Sequence, residues 1–138
     1  MHSEPVAVEV DGLTVRYGDH TAVERLSFTA ARGEVTALLG PNGAGKTTTV
    51  ETLEGYRRPD EGSVRVLGLD PIAQHASLAP RIGVMLQSGG VYTSARPLEV
   101  LRLFASFFPE PEDPAALLEL VGLADRTRST WRSLSGGE

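Results

Sequence analysis

Eight consecutive residues carry the clearest chemistry in the chain: Gly40, Pro41, Asn42, Gly43, Ala44, Gly45, Lys46 and Thr47. They satisfy G-x-x-x-x-G-K-[ST], the P-loop pattern, which holds a chain of phosphates. Glycines at 40, 43 and 45 permit positive φ and close backbone approach. Successive N–H groups can then converge on an anion, helped by the partial positive charge of the first turn of a following helix. In such a loop Lys46 reaches the β- and γ-phosphates. The Thr47 hydroxyl serves Mg2+, a hard cation that takes octahedral oxygen ligands. The alternative is a Gly-rich turn ending in Lys-Thr by accident, expected on the order of once in a few hundred chains of this length. Lys46 is also the sole lysine among 13 basic residues, the rest being arginine. One compact ammonium in an Arg-rich chain fits a place where a point charge is needed and a planar fork does not serve.

The loop works only between a strand and a helix, and the flanking sequence predicts both. Residues 35–39, Val-Thr-Ala-Leu-Leu, form a nearly continuous apolar run, which predicts a central strand covered on both faces. Residues 46–54 hold helix formers and threonines and stop at Gly55, a C′ residue. Upstream, residues 6–17 alternate apolar and polar around Gly12, and residues 22–29 form a second β-like run beyond a Gly18-Asp19 turn. This predicts an antiparallel pair. Downstream, Pro59-Asp60-Glu61-Gly62 reads as a turn and residues 63–67 as a short strand; Asp70-Pro71 reads as a cap with Pro at the first position of a brief helix. Residues 81–86 predict another strand, ending at Gln87-Ser88-Gly89-Gly90. Residues 97–108 predict a helix whose polar positions, Glu99, Arg102 and Ser106, leave only a narrow water-compatible stripe. A proline linker spans 109–114, a short helix 115–121 ends at Gly122, and one more turn covers 123–128. There is no internal repeat and no low-complexity tract.

Composition bounds the reading further. With 138 residues and 14.7 kDa, one domain of ordinary size is expected. At 41% hydrophobic and 22% charged, the chain falls outside the collagen-like, disordered and membrane-spanning classes. A net charge of −5 without a Lys/Arg run argues against nucleic acid or anionic lipid as the main partner. The absence of cysteine excludes disulfides, thiolate metal sites and a Cys nucleophile. Met1-His2-Ser3-Glu4-Pro5 has neither a basic nor an apolar leader region, and no stretch reaches the ~18 apolar residues of a spanning helix. A soluble, unexported chain is expected.

Leu39-Gly40-Pro41-Asn42-Gly43-Ala44-Gly45-Lys46-Thr47-Thr48, preceded by Arg16-Tyr17-Gly18 and followed by Gln87 and Leu134-Ser135-Gly136-Gly137-Glu138, resembles the ATP-binding subunit of an ABC transporter along the whole chain. Val66-Leu67-Gly68-Leu69-Asp70-Pro71 and Ser94-Ala95-Arg96-Pro97-Leu98-Glu99 give the resemblance an export-type flavour. The resemblance implies an α/β P-loop NTPase fold of the ABC type. Residues 1–88 would form the antiparallel β and P-loop core, and residues 89–138 a helical subdomain up to the signature motif. It implies ATP and Mg2+ bound by Gly40 through Thr48. Tyr17 would stack on adenine, worth about 1–3 kcal/mol for a base on an aromatic face. Gln87 would touch Mg2+ and the attacking water, which makes Lys46 and Gln87 the catalytic candidates and Thr47 and Gln87 the metal ligands. Ser135, Gly136 and Gly137 would contact the γ-phosphate held on an opposite subunit. Glu138 stands where the family commonly has Gln. Taken singly, Tyr17 reads equally as a strand-end core residue, Gln87 as a solvated loop residue and Leu-Ser-Gly-Gly as a plain turn.

The implied function is ATP binding and hydrolysis coupled to transport through a membrane permease. The implied assembly is a homodimer or pseudo-symmetric dimer, peripheral on the inner face of the cell membrane. The Walker B Asp-Glu pair and the switch histidine of that family are not found in this sequence. Asp60-Glu61 follows a segment that cannot be a buried strand, Glu112-Asp113 lies in the proline linker, Asp70 precedes Pro71, and His2, His20 and His75 sit elsewhere. The expectation is therefore the N-terminal part of a longer subunit, inactive as an ATP hydrolase by itself, with exposed apolar strand edges at residues 35–39 and 82–86 that favour aggregation. The alternatives are a truncated nucleotide-binding product without activity, a soluble ABC-type ATPase without a membrane partner, or a small P-loop kinase. The helix over 97–108 is read as a core helix of the helical subdomain, with docking of a permease loop as the second reading.

Overall fold

The computed structural model describes residues 6–85 and 91–134. They fall into two compact units, Met1–Val84 and Met85–Glu138. The first unit is built on an antiparallel sheet of order β2-β1-β3, with β1 at Val6–Tyr17, β2 at His20–Ala31 and β3 at Glu61–Val66. Alternation of apolar and polar residues starts β1, so Val10 turns inward. At Gly12 the alternation slips. The φ of +61° there is left-handed, and the register of β1 against both neighbours shifts across this point. The added residue leaves Leu13, Thr14 and Val15 all buried, the signature of a β-bulge. Thr14 stays satisfied because its hydroxyl accepts the Arg25 N–H at 3.1 Å.

Around this bulge the core gathers Val10, Leu13 and Val15 with Val23 of β2, Val64 and Val66 of β3, and Leu78 of the short helix α2 (His75–Leu78). Helix α1, Lys46–Leu53, is held by its threonines. Thr49 and Thr52 donate their hydroxyls to the carbonyls of Gly45 and Thr48 at 2.9 and 2.7 Å, which lets these two threonines be buried without an orphaned oxygen. The helix stops where expected, at Gly55 with φ +84°. Arg16 closes the far end of the sheet: its N–H donates to the Asp60 carboxylate at 2.7 Å and its guanidinium pairs with Glu61. Asp70 caps a turn instead of the expected helix: its Oδ1 accepts the N–H groups of Ile72 and Ala73 at 2.8 and 2.9 Å, residues 71–74 form the turn, and α2 starts only at His75 behind Gln74.

Two expected strands are corrected. Residues 35–39 form no ladder, and Val35 is fully exposed with Leu39 at 87%. An apolar run becomes a central strand only when strands on both edges take its hydrogen bonds, and among the described residues none lies beside it. The segment expected as a strand over 81–86 begins instead as the last residue of a 3-10 turn, Ala79–Arg81. Residues 82–85 then carry no pairing, for the same reason, and Leu86 lies outside the described residues.

The second unit holds helices α3 (Pro97–Ala105) and α4 (Pro114–Leu120) with 3-10 turns at Ala124–Arg126 and Trp131–Ser133. The helix expected across 97–108 ends at Ala105. Ser106 turns its hydroxyl onto the Leu103 carbonyl at 2.6 Å, and Phe108 precedes Pro109, a position that disfavours helical ψ. Leu118 and Leu123 are buried, whereas Leu103, Phe104, Phe107 and Phe108 remain exposed. Backbone bonds from Trp131 N–H to the Ala95 carbonyl and from Arg132 N–H to the Thr93 carbonyl, 2.8 and 2.9 Å, fasten the last turn to the approach of α3.

Truncating Leu13 to alanine at the bulge should destabilise the full-length polypeptide by about 2–5 kcal/mol, read from the denaturant midpoint. The Ala73 and Ile72 N–H groups hold the Asp70 carboxyl below the ordinary carboxylate range. The cap is therefore intact above that range and is lost as pH falls through the lowered pKa. The amide shifts of Ile72 and Ala73 should titrate at that depressed value, and D70N should abolish the titration.

Candidate functional site

Residues 40–47 lie in the first unit and run directly into α1. Ala44 N–H donates to the Pro41 carbonyl at 3.2 Å, closing a turn, and Gly43 follows a left-handed path at φ +85°. Gly45 is the N-cap of α1 at φ +77°. Its lack of a side chain is required twice over, because a Cβ there would overlap the Ala22 carbonyl and come within 2.7 Å of Val23 Cγ2. The loop is therefore pressed onto β2 by its last glycine while residues 40–44 stay exposed. The first-turn N–H groups of α1 have no carbonyl of their own helix to bond, so they face the loop as donors with the helix's positive end behind them.

Lys46 folds back over this turn. Its ammonium donates to the carbonyls of Gly40 and Pro41, both at 2.7 Å. These contacts hold the cation at the mouth of the glycine turn, with donor capacity left for an anion. Thr47 is exposed at the head of α1, next to buried Thr48.

Tyr17, 31 residues before Thr48, is brought to the same helix: its hydroxyl and Thr48 Oγ1 are 3.2 Å apart. The sheet accounts for this, since Tyr17 ends β1 opposite His20, beside the strand that carries Ala22 and Val23. One face of the Tyr17 ring is covered by the Arg57 guanidinium, whose carbon lies 4.0 Å from the ring centroid. Arg57 is a site neighbour that sequence reading missed, because nothing in the order Gly55-Tyr56-Arg57-Arg58 marks one arginine over the other. Glu51 stands near by, its carboxylate 3.9 Å from Arg57 Nε. Beyond it, burial and then the charge of Glu51 raise the pKa of Glu54.

The structure thus brings together Tyr17, Gly40, Pro41, Asn42, Gly43, Ala44, Gly45, Lys46, Thr47 and Thr48. Gln87 and the run Ser135, Gly136 and Gly137 lie outside the described residues. Among the described residues no cluster of three His, Asp or Glu side chains could hold a metal ion. A cation here would depend on the Thr47 hydroxyl and on oxygens of a bound phosphate chain, a donor set that suits Mg2+. Among the described residues no helix is long and apolar enough to cross a membrane.

Comparison with known proteins points one way. The profile of the ABC transporter family matches residues 23–138. The chain is 39% identical over 141 residues to the Nod factor export ATP-binding protein I of Ralstonia nicotianae, covering 98% of this chain and 43% of that protein. It is also 39% identical over 136 residues to the daunorubicin resistance ATP-binding protein DrrA3 of Streptomyces coeruleorubidus, covering 95% of this chain and 43% of that protein. Among solved structures, cbiO1 from Clostridium perfringens, part of the ABC transporter complex cbiONQ, superposes with a TM-score of 0.80 at 25% identity over 96% of this chain and 57% of that one. The chain therefore spans less than half the length of the two curated relatives named, and the fold it shares is that of ABC-type P-loop NTPases.

The two left-handed glycines should respond differently to alanine. At Gly43, where a Cβ meets open space, the cost is the left-handed backbone alone, about 1–2 kcal/mol. At Gly45 the collision with β2 adds about 1–3 kcal/mol. Chemical denaturation of G43A and G45A in the full-length polypeptide should show that order.

Proposed function

Since the chain belongs to the ABC transporter family, matched across residues 23–138, we propose that it forms the nucleotide-binding part of the ATP-binding subunit of an export-type transporter. The observation that carries this reading is the Lys46 ammonium held over a left-handed glycine turn at the head of α1. A triphosphate entering the turn offers oxygens that replace the Gly40 and Pro41 carbonyls as acceptors for Lys46. These charge-assisted bonds are roughly twice as strong as neutral ones. The first-turn N–H groups of α1 take further phosphate oxygens, and the Thr47 hydroxyl would help hold Mg2+, which would supply positive charge to the phosphate chain. Tyr17 offers its ring to the base.

In this reading Gln87 senses the γ-phosphate side, and Ser135, Gly136 and Gly137 close on the nucleotide of an opposing subunit, so that two copies pair head to tail around two ATP molecules. Residues 1–88 act as the P-loop core and 89–138 as the helical subdomain. Export is favoured by the names of the relatives, which are a Nod factor export protein and a daunorubicin resistance protein. Peripheral attachment to the inner face of the membrane would come through a permease. In this reading hydrolysis belongs to the assembled subunit, since among the described residues no Asp-Glu pair stands at the end of an apolar strand.

Two measurements check the proposal. K46A in the full-length polypeptide should lower affinity for ATP with Mg2+ by a factor on the order of 100, read by calorimetry, as expected for losing the charged partner of two phosphates; an unchanged affinity would overturn it. The exposed Leu103, at 59%, is a candidate permease contact. L103D should abolish co-purification with the membrane partner and leave nucleotide affinity within about twofold, since an exposed substitution costs the fold little.

A further inference from the structure

Helix α1 holds two aromatic-site components on one face. Thr48 and Glu51 are three residues apart, so they are neighbours on the helix surface. Thr48 holds the Tyr17 hydroxyl at 3.2 Å. Glu51 holds Arg57 through two contacts: its carbonyl accepts the Arg57 N–H at 3.3 Å, and its carboxylate lies 3.9 Å from Nε. The guanidinium is thereby laid over the Tyr17 ring at 4.0 Å, within the range in which a cation is attracted to an aromatic face. Tyr17 is still 42% exposed with Arg57 in place, so ring surface remains open for a second flat partner.

From this geometry we infer that Arg57 is a positioning residue for the nucleobase: it backs one face of Tyr17 and fixes the ring's orientation, and the base stacks on the other face. The inference rests on the reading of Tyr17 as the base platform. Arg57 acts through the ring in two ways. Its charge draws electron density toward the covered face, and the contact of its Nε with the Glu51 carboxylate restrains a side chain that is otherwise free to swing about its torsions. The order of layers is Glu51, Arg57, Tyr17, base. Because Thr48 and Glu51 sit on the helix whose first turn carries Lys46, the platform and the phosphate turn share one rigid support.

Calorimetry on the full-length polypeptide tests this with two probes, ATP and inorganic tripolyphosphate, each with Mg2+. Their affinity ratio reads the contribution of the nucleoside. R57M should lower that ratio about threefold to tenfold, leaving tripolyphosphate affinity unchanged, and R57K, which keeps the cation but not the planar fork, should fall between. Thermal melts of both variants establish that they are folded, and R57K serves should R57M fail to fold. If Y17A lowers the ratio and the Arg57 variants do not, the platform stands and the role of Arg57 is overturned. A ratio that rises in R57M means that arginine and base compete for one face, which also overturns it. Equal loss for both probes marks a merely structural residue. If Y17A itself leaves the ratio unchanged, the platform reading fails and Arg57 falls with it.

Discussion

The contact of Gly45 with β2 is the constraint on which the site depends. Only a residue without a side chain can bring the loop backbone this close to the Ala22 carbonyl and to Val23. The same residue must adopt a left-handed φ to turn the chain into α1. These two demands meet at one position, so the start of α1 is indexed to the sheet and has little freedom to slide. Lys46, Thr47 and Thr48 follow at fixed angles around the helix. Tyr17, at the end of β1, meets Thr48 because the hairpin that carries Ala22 also carries Tyr17. A glycine turn and an aromatic ring separated by more than twenty residues are thus positioned by one close approach.

Lys46 shows how such a turn is kept ready. A cation at an exposed loop would normally be solvated and mobile. Here two carbonyls hold it at 2.7 Å, aimed at the turn they bound. Carbonyl oxygens are neutral acceptors and bind an ammonium less strongly than a carboxylate would, so these contacts leave the cation its charge. Among the described residues no carboxylate is paired with Lys46, whereas Arg16, Arg57 and Arg96 each lie beside one.

How much of this could be read in advance depends on whether the signal was local. The β1–β2 hairpin, the extent of α1, its stop at Gly55 and the cap at Asp70 all follow from neighbours in sequence: alternation, a two-residue turn, helix formers before a left-handed glycine, an acid before proline. The first three are present; at Asp70 the carboxylate caps a turn over residues 71–74, and the helix starts only at His75. The glycine turn running into α1 was legible for the same reason, since its pattern is written in contiguous residues. Arg57 was not, because its role comes from stacking on a residue 40 positions earlier, and Arg58 beside it has the same chemistry and a different surrounding. The bulge at Gly12 was visible only as an interruption. Its effect, three successive buried side chains, arises from pairing with two strands at once.

Residues 35–39 make the opposite case, in which a strong local signal produced no element. Val35-Thr36-Ala37-Leu38-Leu39 has the composition of a strand buried on both faces, and Val35 and Leu39 are almost wholly in water. Leaving an aliphatic side chain exposed forgoes about 1.5–3 kcal/mol of burial. No covering surface or ladder partner for this run exists among the described residues. β-propensity measures fit to a pleated surface made by neighbours; it carries no information on whether those neighbours are at hand. The loop and α1 hold their geometry all the same. Their anchors, Gly45 on β2 and the threonine back-bonds inside α1, lie downstream of the run and ask nothing of it. The glycine turn is therefore set where Gly45 meets the hairpin behind it, without any pairing of the apolar run.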